Sequence, residues 1–203
     1  PRLDDYPLLK HFAQSGAISK LTSRFPSTTA AHVTCIHTGL PPAQSGIYEW
    51  NMYEPKLDAV YQPLPFSLAG QTERDTLKGV IDPRELYPTR TVYHDLNRYG
   101  VKSTVFQVRD ILPSTYSNIM CDGAVTRPYK TLSEALVNLS EAVLSRKSRH
   151  YYFMYFSGVD AVAHQYGPGS AQVDAEIDSL LIILERQLLR RLAGKAKDTA
   201  LLI

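Results

Sequence analysis

The longest unbroken run of apolar and aromatic residues is 151–156, Tyr-Tyr-Phe-Met-Tyr-Phe, with a polar loop directly after it. A run of that length and density reads as a strand buried on both faces, which is the environment of a parallel sheet. Parallel strands need long crossover connections, usually helices, and the flanking segments supply them. Residues 131–146 read as a helix opened by Thr131 with Glu134 three positions on, the spacing of a capping box. A long helix is expected over 170–192. Upstream, 91–99 suits an amphipathic helix stopped at Gly100, and 101–108 alternates as a strand. Nearer the N-terminus, 6–15 reads as a helix before Gly16, 17–24 as a short strand, and 29–38 as a helix ended by Gly39 and a proline pair. Strands alternating with helices predict an α/β layered fold with a largely parallel sheet.

The segment 46–65 is rich in aromatics and proline without a period, and reads as loop with short extended pieces. With 44% hydrophobic and 21% charged residues, the chain can bury one sizeable core. Its formal charge of +2 gives no bulk attraction to nucleic acid, so affinity for phosphate must come from a local site. No apolar run approaches the ~20 residues of a bilayer span, residues 1–20 lack a signal-peptide pattern, and no compartment follows. Cys35 and Cys121 lack metal-ligand spacing and read as buried free thiols. The chain opens without Met and stops in Thr-Ala-Leu-Leu-Ile, a strand in progress from Thr199, so both ends read as cut.

Sheets of this kind bind ligands beyond the carboxyl ends of their strands. Two loops stand out there. In 23–47, SRFPSTTAAHVTCIHTGLPPAQSGI, hydroxyl residues crowd the start of a helix, where free amides favour a phosphate oxygen. In 156–170, FSGVDAVAHQYGPGS, Asp160 and His164 are four apart and face one point if the loop is helical. A carboxylate with an imidazole is a zinc-compatible pair, although D-x-x-x-H alone is a common spacing.

Taken together, these segments resemble the type I phosphodiesterase and nucleotide pyrophosphatase family of the alkaline phosphatase superfamily. Phe25-Pro26, Thr29, Thr38-Gly39-Leu40-Pro41-Pro42, Asp160, His164 and Tyr166-Gly167-Pro168 carry the likeness, which extends over GIYEWNMYEP at 46–55. The resemblance implies a three-layer alkaline-phosphatase-like fold, with 1–203 an incomplete catalytic domain and 46–88 able to contribute a cover over the site. It also implies two divalent metal ions, zinc by preference, with Thr29 as nucleophile and ligand of one, and Asp160 and His164 as ligands of the other. A covalent phosphothreonine would form and be cleaved by water. The family's phosphate-binding asparagine falls on Trp50 in ungapped register, and the resemblance implies that Asn51, one residue later, takes that role, the other reading being a loop asparagine that caps a turn. The substrate implied is a small phosphate ester, with a nucleotide one candidate. Tyr48, Trp50 and Tyr53 either stack a flat leaving group or pack locally. Further metal ligands of the family are not identifiable here, so these residues alone are expected to bind zinc poorly and to turn over nothing.

Other polar residues have simpler roles. His32 and His37 lie inside the helix and read as packing or as hydrogen-bonding behind the site rather than as ligands, and Ser27 and Thr28 as caps. Asp174 and Asp178 read as solvent-facing, while Arg90, Arg109 and Arg127 are undistinguished cations. No C/S-x-P-x-R motif marks a sulfatase at the nucleophile turn. A phosphomonoesterase, a phosphonate hydrolase, a metal-dependent mutase and a non-catalytic phosphate-binding module remain as alternatives.

Overall fold

The computed structural model describes residues 6–203. Its parallel sheet has three strands: β4 (Lys102–Val108), β5 (Val125–Tyr129) and β6 (His150–Met154), in the order β5-β4-β6. Successive side chains of a strand point to opposite faces, and β4 demonstrates the consequence. Val105 joins Tyr93, Cys121 and Phe153 on one face, while Phe106 joins Tyr129, Leu136, Leu139 and Leu181 on the other. The second face is covered by α6 (Leu132–Ser145), α8 (Ala171–Leu184) and α1 (Pro7–Ser15). The first carries α4 (Val92–Arg98) and α2 (Thr29–Thr38), with α5 (Thr115–Met120) beside α2. The expected three-layer α/β arrangement is therefore present.

Burial within the sheet departs from the sequence reading. The strand covered on both faces is β4, whose Ser103 to Gln107 are all buried despite its polar sequence. The apolar run at 151–156 forms β6, an outer strand of the described sheet, with half-buried side chains and Tyr151 exposed. Position in the sheet, rather than apolar density, decides which strand is enclosed. The expected strands at 17–24 and from Thr199 do not form: these stretches have no ladder partner among the described residues, and Leu21 and Leu202 are exposed. Conversely, α5 and β5 escaped the sequence reading. Pro128 argues against a strand, yet β5 lies at the sheet's other border, where a missing donor is tolerated.

The helices follow their end signals, down to the single turn α3 (Pro42–Ser45), which opens on Pro42 and stops at Gly46. Thr131 and Glu134 form the capping box of α6, with Thr131 Oγ1 accepting from Glu134 N at 3.2 Å. The expected helix over 170–192 is capped by Ser170 and runs as α8, a π-helical turn Glu185–Leu189 and the short α9 (Arg190–Leu192). The segment from Gly46 to Pro88 is more ordered than a loop. It contains an antiparallel meander of β1 (Met52–Glu54), β2 (Ala59–Gln62) and β3 (Ser67–Leu68). Ile47, Met52, Tyr61, Phe66 and Tyr87 form one core with Ala30 and Val33 of α2 and Tyr116 of α5.

His37, in the last turn of α2, is buried between Tyr93 and Phe153. Its Nδ1 shares a 2.7 Å hydrogen bond with the Tyr93 hydroxyl, and Nε2 is buried without a partner. Burial lowers its pKa from 6.5 to about 4. Between these values the unfolded chain binds the proton and the folded chain does not, so stability rises with pH across the window. Acidification from pH 7 to 4 is expected to cost about 3 kcal/mol through this residue. Urea unfolding at the two pH values checks this: His37→Gln should flatten that part of the slope, and an unchanged slope would refute the assignment.

Candidate active site

The first element of the site is α2. Thr28 at its N-cap is extended, and its Oγ1 accepts from Ala31 N at 3.3 Å. Capping by Thr28 leaves the hydroxyl of Thr29, the first helical residue, outside the helix's own end bonds. Ala30 and Ala31 are buried, small enough to bring the first turn close to the core. The helix stops at Gly39, which has φ 73° and donates to Cys35 O at 2.7 Å. That left-handed backbone favours glycine. Thr34 Oγ1 and Tyr116 Oη share a 2.8 Å bond that fixes α2 against α5.

The orientation of α2 follows from its contacts. His37 near its end touches Phe153 inside β6, while Ala30 at its start belongs to the core against which Tyr155, just beyond β6, packs. The helix thus runs back along β6, and Thr29 lies toward the carboxyl end of the strand. The loop after β6 leaves from the same end, with Tyr155 N donating to Phe106 O at 3.0 Å and the Tyr129 hydroxyl donating to Tyr155 O.

That loop enters α7 (Gly158–Tyr166). A Cβ at Gly158 would meet the Phe156 ring at 2.2 Å and the Glu176 carboxylate at 2.6 Å, so the turn is tight against its neighbours. Asp160 and His164 occupy one face of α7, as the i, i+4 spacing requires. His164 Nε2 stands 3.7 Å from Asp160 Oδ1, and the side chains are 80% and 59% exposed. Two ligands on a tetrahedral zinc with bonds near 2.1 Å are about 3.4 Å apart. The pair therefore fits one zinc in donor type and in spacing. It supplies two ligands only: no group of three or more His, Cys, Asp or Glu among the described residues could hold a metal.

Asn51 sits at the end of an arm that returns to α2. Ser45 Oγ accepts from Ile47 N at 3.2 Å, Ile47 is fully buried, and Met52 is buried at the start of β1. Between these anchors Tyr48, Trp50 and Asn51 are exposed. The Thr28 hydroxyl donates to Tyr48 O at 3.2 Å, bringing the arm to the residue before Thr29. Tyr53 is also exposed, and its hydroxyl donates to Asp58 Oδ1 at 2.7 Å. Thr28 is the cap anticipated from sequence, but its bond to Tyr48 spans twenty positions and no local pattern signals it.

The remaining candidates fall where simple chemistry puts them. Asp174 and Asp178 are exposed on α8, and Arg90 pairs with Asp95 at 2.6 Å. His32 Nε2 lies 3.4 Å from Arg24 O. Cys121 is buried, with its thiol pushed up to about 12 by burial, whereas Cys35 is only half-buried. Two clefts lie away from these residues. One of about 740 Å³ separates α1 from the stretch after α8, and one of about 280 Å³ lies between Ile81, Arg84 and α5.

The family model for type I phosphodiesterase / nucleotide pyrophosphatase matches residues 1–191. Human ectonucleotide pyrophosphatase/phosphodiesterase family member 1 is 27% identical over 176 residues, and its mouse counterpart 25% over 175. Both alignments cover 82% of this chain and 17% of the relative. Among solved structures, murine ectonucleotide pyrophosphatase/phosphodiesterase 5 has the same fold, with TM-score 0.62 and 16% identity, over 91% of this chain and 48% of that one. An inactive variant of that protein in complex with AMP aligns equally well, over 92% and 48%. Phosphonoacetate hydrolase from Sinorhizobium meliloti aligns with TM-score 0.53 and 19% identity over 88% of this chain and 46% of its own. The chain thus spans a small part of the curated relatives and about half of the solved structures.

Proposed function

The chain belongs to the type I phosphodiesterase/nucleotide pyrophosphatase family, and from that membership we propose that it hydrolyses phosphodiesters or nucleotide pyrophosphates through a phosphothreonine at Thr29. The observation that carries the reading is the pairing of two features at the carboxyl end of β6. One is a threonine at the first position of α2, spared from capping; the other is the Asp160–His164 pair on α7.

The free amides in the first turn of α2 receive a phosphoryl oxygen and the positive end of the helix dipole favours its charge. Thr29 Oγ1 gives up its proton to solvent and attacks phosphorus, and the Oγ1–P bond forms as the bond to the leaving alkoxide or phosphate breaks; water then attacks phosphorus, Oγ1–P breaks, the phosphoryl group leaves as the product phosphate ester, and a proton returns to the threonine. Asn51 donates to a phosphoryl oxygen from the other side. When bound, two divalent ions, zinc by donor type, supply the charge that lowers the hydroxyl pKa and offsets the phosphoryl oxygens. Asp160 and His164 would hold one, and Thr29 would face the other. Residues 46–88 form a wall of the site, held by the core they share with α2 and α5, and the exposed rings of Tyr48 and Trp50 suit a nucleobase. The AMP complex of the murine neighbour supports a nucleotide as the substrate class.

Zinc content and turnover of bis(p-nitrophenyl) phosphate against p-nitrophenyl phosphate, measured on the full-length protein, test the reading. Two zincs per chain, faster diester turnover, and loss with EDTA that zinc reverses are expected. Turnover confined to the monoester or to phosphonoacetate would replace the reading with those chemistries. Neither metal nor turnover would leave a phosphate-binding module.

A further inference from the structure

We propose that Thr28 is a positioning residue, whose single hydroxyl sets the Asn51 arm against the first turn of α2. The inference rests on the roles given above to Thr29 and Asn51. An N-cap needs only a lone pair of its hydroxyl. Thr28 Oγ1 gives that lone pair to Ala31 N at 3.3 Å and directs its proton to Tyr48 O at 3.2 Å. Among the described residues, this is the hydrogen bond that joins the exposed stretch of the arm to α2. Trp50 N donates within the arm, to Glu49 Oε1 at 2.7 Å, and Ile47 N donates to Ser45 Oγ behind it. The burial of Ile47 and Met52 fixes the two ends of the arm but not its crest, where Asn51 and Trp50 stand exposed. Thr28 thus couples the helix start that presents the nucleophile to the loop that presents the phosphate donor. The cap alone can be supplied by several side chains; the cap together with this donor needs a group that both accepts and donates, which the Thr28 hydroxyl does through one atom.

Thr28→Gly separates the two tasks, because glycine is tolerated at an N-cap and costs the helix little. Thr28→Ser keeps both. Trp50 is the sole tryptophan among these 203 residues and lies two residues beyond Tyr48; with any tryptophan outside them replaced by Phe, its fluorescence anisotropy in the full-length protein reports the arm without any need for turnover. Thr28→Gly is expected to lower Trp50 anisotropy, with the thermal midpoint nearly unchanged, and to lower kcat/KM for the diester about tenfold or more, the scale of a small misplacement at a reacting centre. Thr28→Ser should match the wild type in both. In an Asn51→Ala background, Thr28→Gly should cost nothing further, since the two act as one unit. Unchanged anisotropy in Thr28→Gly would overturn the tether whatever the kinetics. Equal losses in both backgrounds would overturn its action through Asn51. If the wild type is inert toward diesters and the anisotropy still falls, the tether stands and the phosphodiesterase reading is what fails.

Discussion

Thr29→Ala is expected to lower kcat for bis(p-nitrophenyl) phosphate by on the order of 10⁴-fold or more, the scale of removing a covalent nucleophile, without loosening the fold. The second half of that statement rests on the division of labour at the start of α2. The hydroxyl that closes the helix end belongs to Thr28, through Ala31 N, and the neighbouring core is filled by Ala30 and Ala31. Alanine is also the better helix former at the first turn. The thermal midpoint should therefore stay within a degree or two while activity disappears, and Thr29→Ser should retain part of the rate because a hydroxyl remains. Single-turnover labelling with a substrate bearing ³²P at the transferred phosphoryl gives a second view: acid-stable label on Thr29 in the wild type and none in Thr29→Ala. Full activity in the alanine variant would move the nucleophile to Ser27 or Thr28 and remove the present mechanism.

How far the sequence led depends on how local each feature is. Helix ends were legible because their determinants sit within four residues. Thr131 with Glu134 and Gly39 act where the chain pattern placed them, and the helices expected from 91 and 170 begin at caps the structure identifies as Thr91 and Ser170. Strand burial was not, because a strand's environment is set by neighbours distant in sequence. The run at 151–156 looked like the enclosed strand, yet the enclosed one is Lys102–Val108, flanked by β5 and β6. The stretches at 17–24 and after Thr199 have strand composition and no partner among the described residues, and without a ladder composition alone makes no strand. The candidate site divides in the same way. The placing of Thr29 at a helix start follows from its neighbours, whereas the stretch carrying Asp160 and His164 read as a polar loop and is a helix, α7, so that only the condition for the two to face one point was legible. The return of the Asn51 arm to that start depends on a hydrogen bond across twenty positions, which no window of sequence contains.

Asp160→Ala and His164→Ala carry the second large expected effect: each should remove one zinc from the full-length protein and lower affinity at that site by more than about 100-fold, beyond the loss caused by deleting an outer-shell partner. The pair is a fair test because it does so little else. Both side chains are mostly exposed, and α7 has no buried residue. Their mutual contact at 3.7 Å is an exposed carboxylate–imidazole contact whose loss is worth roughly 0–1 kcal/mol. The helical spacing brings the two side chains together, but their contact adds little to folding. Ligation of a metal would give the pairing a use, at about the present separation. Metal content after dialysis, read beside the thermal midpoint without zinc, separates the two accounts. Loss of one zinc with an unchanged metal-free midpoint supports ligation, whereas undiminished zinc in both variants would place the ions elsewhere and return Asp160 and His164 to the solvent-facing surface of α7.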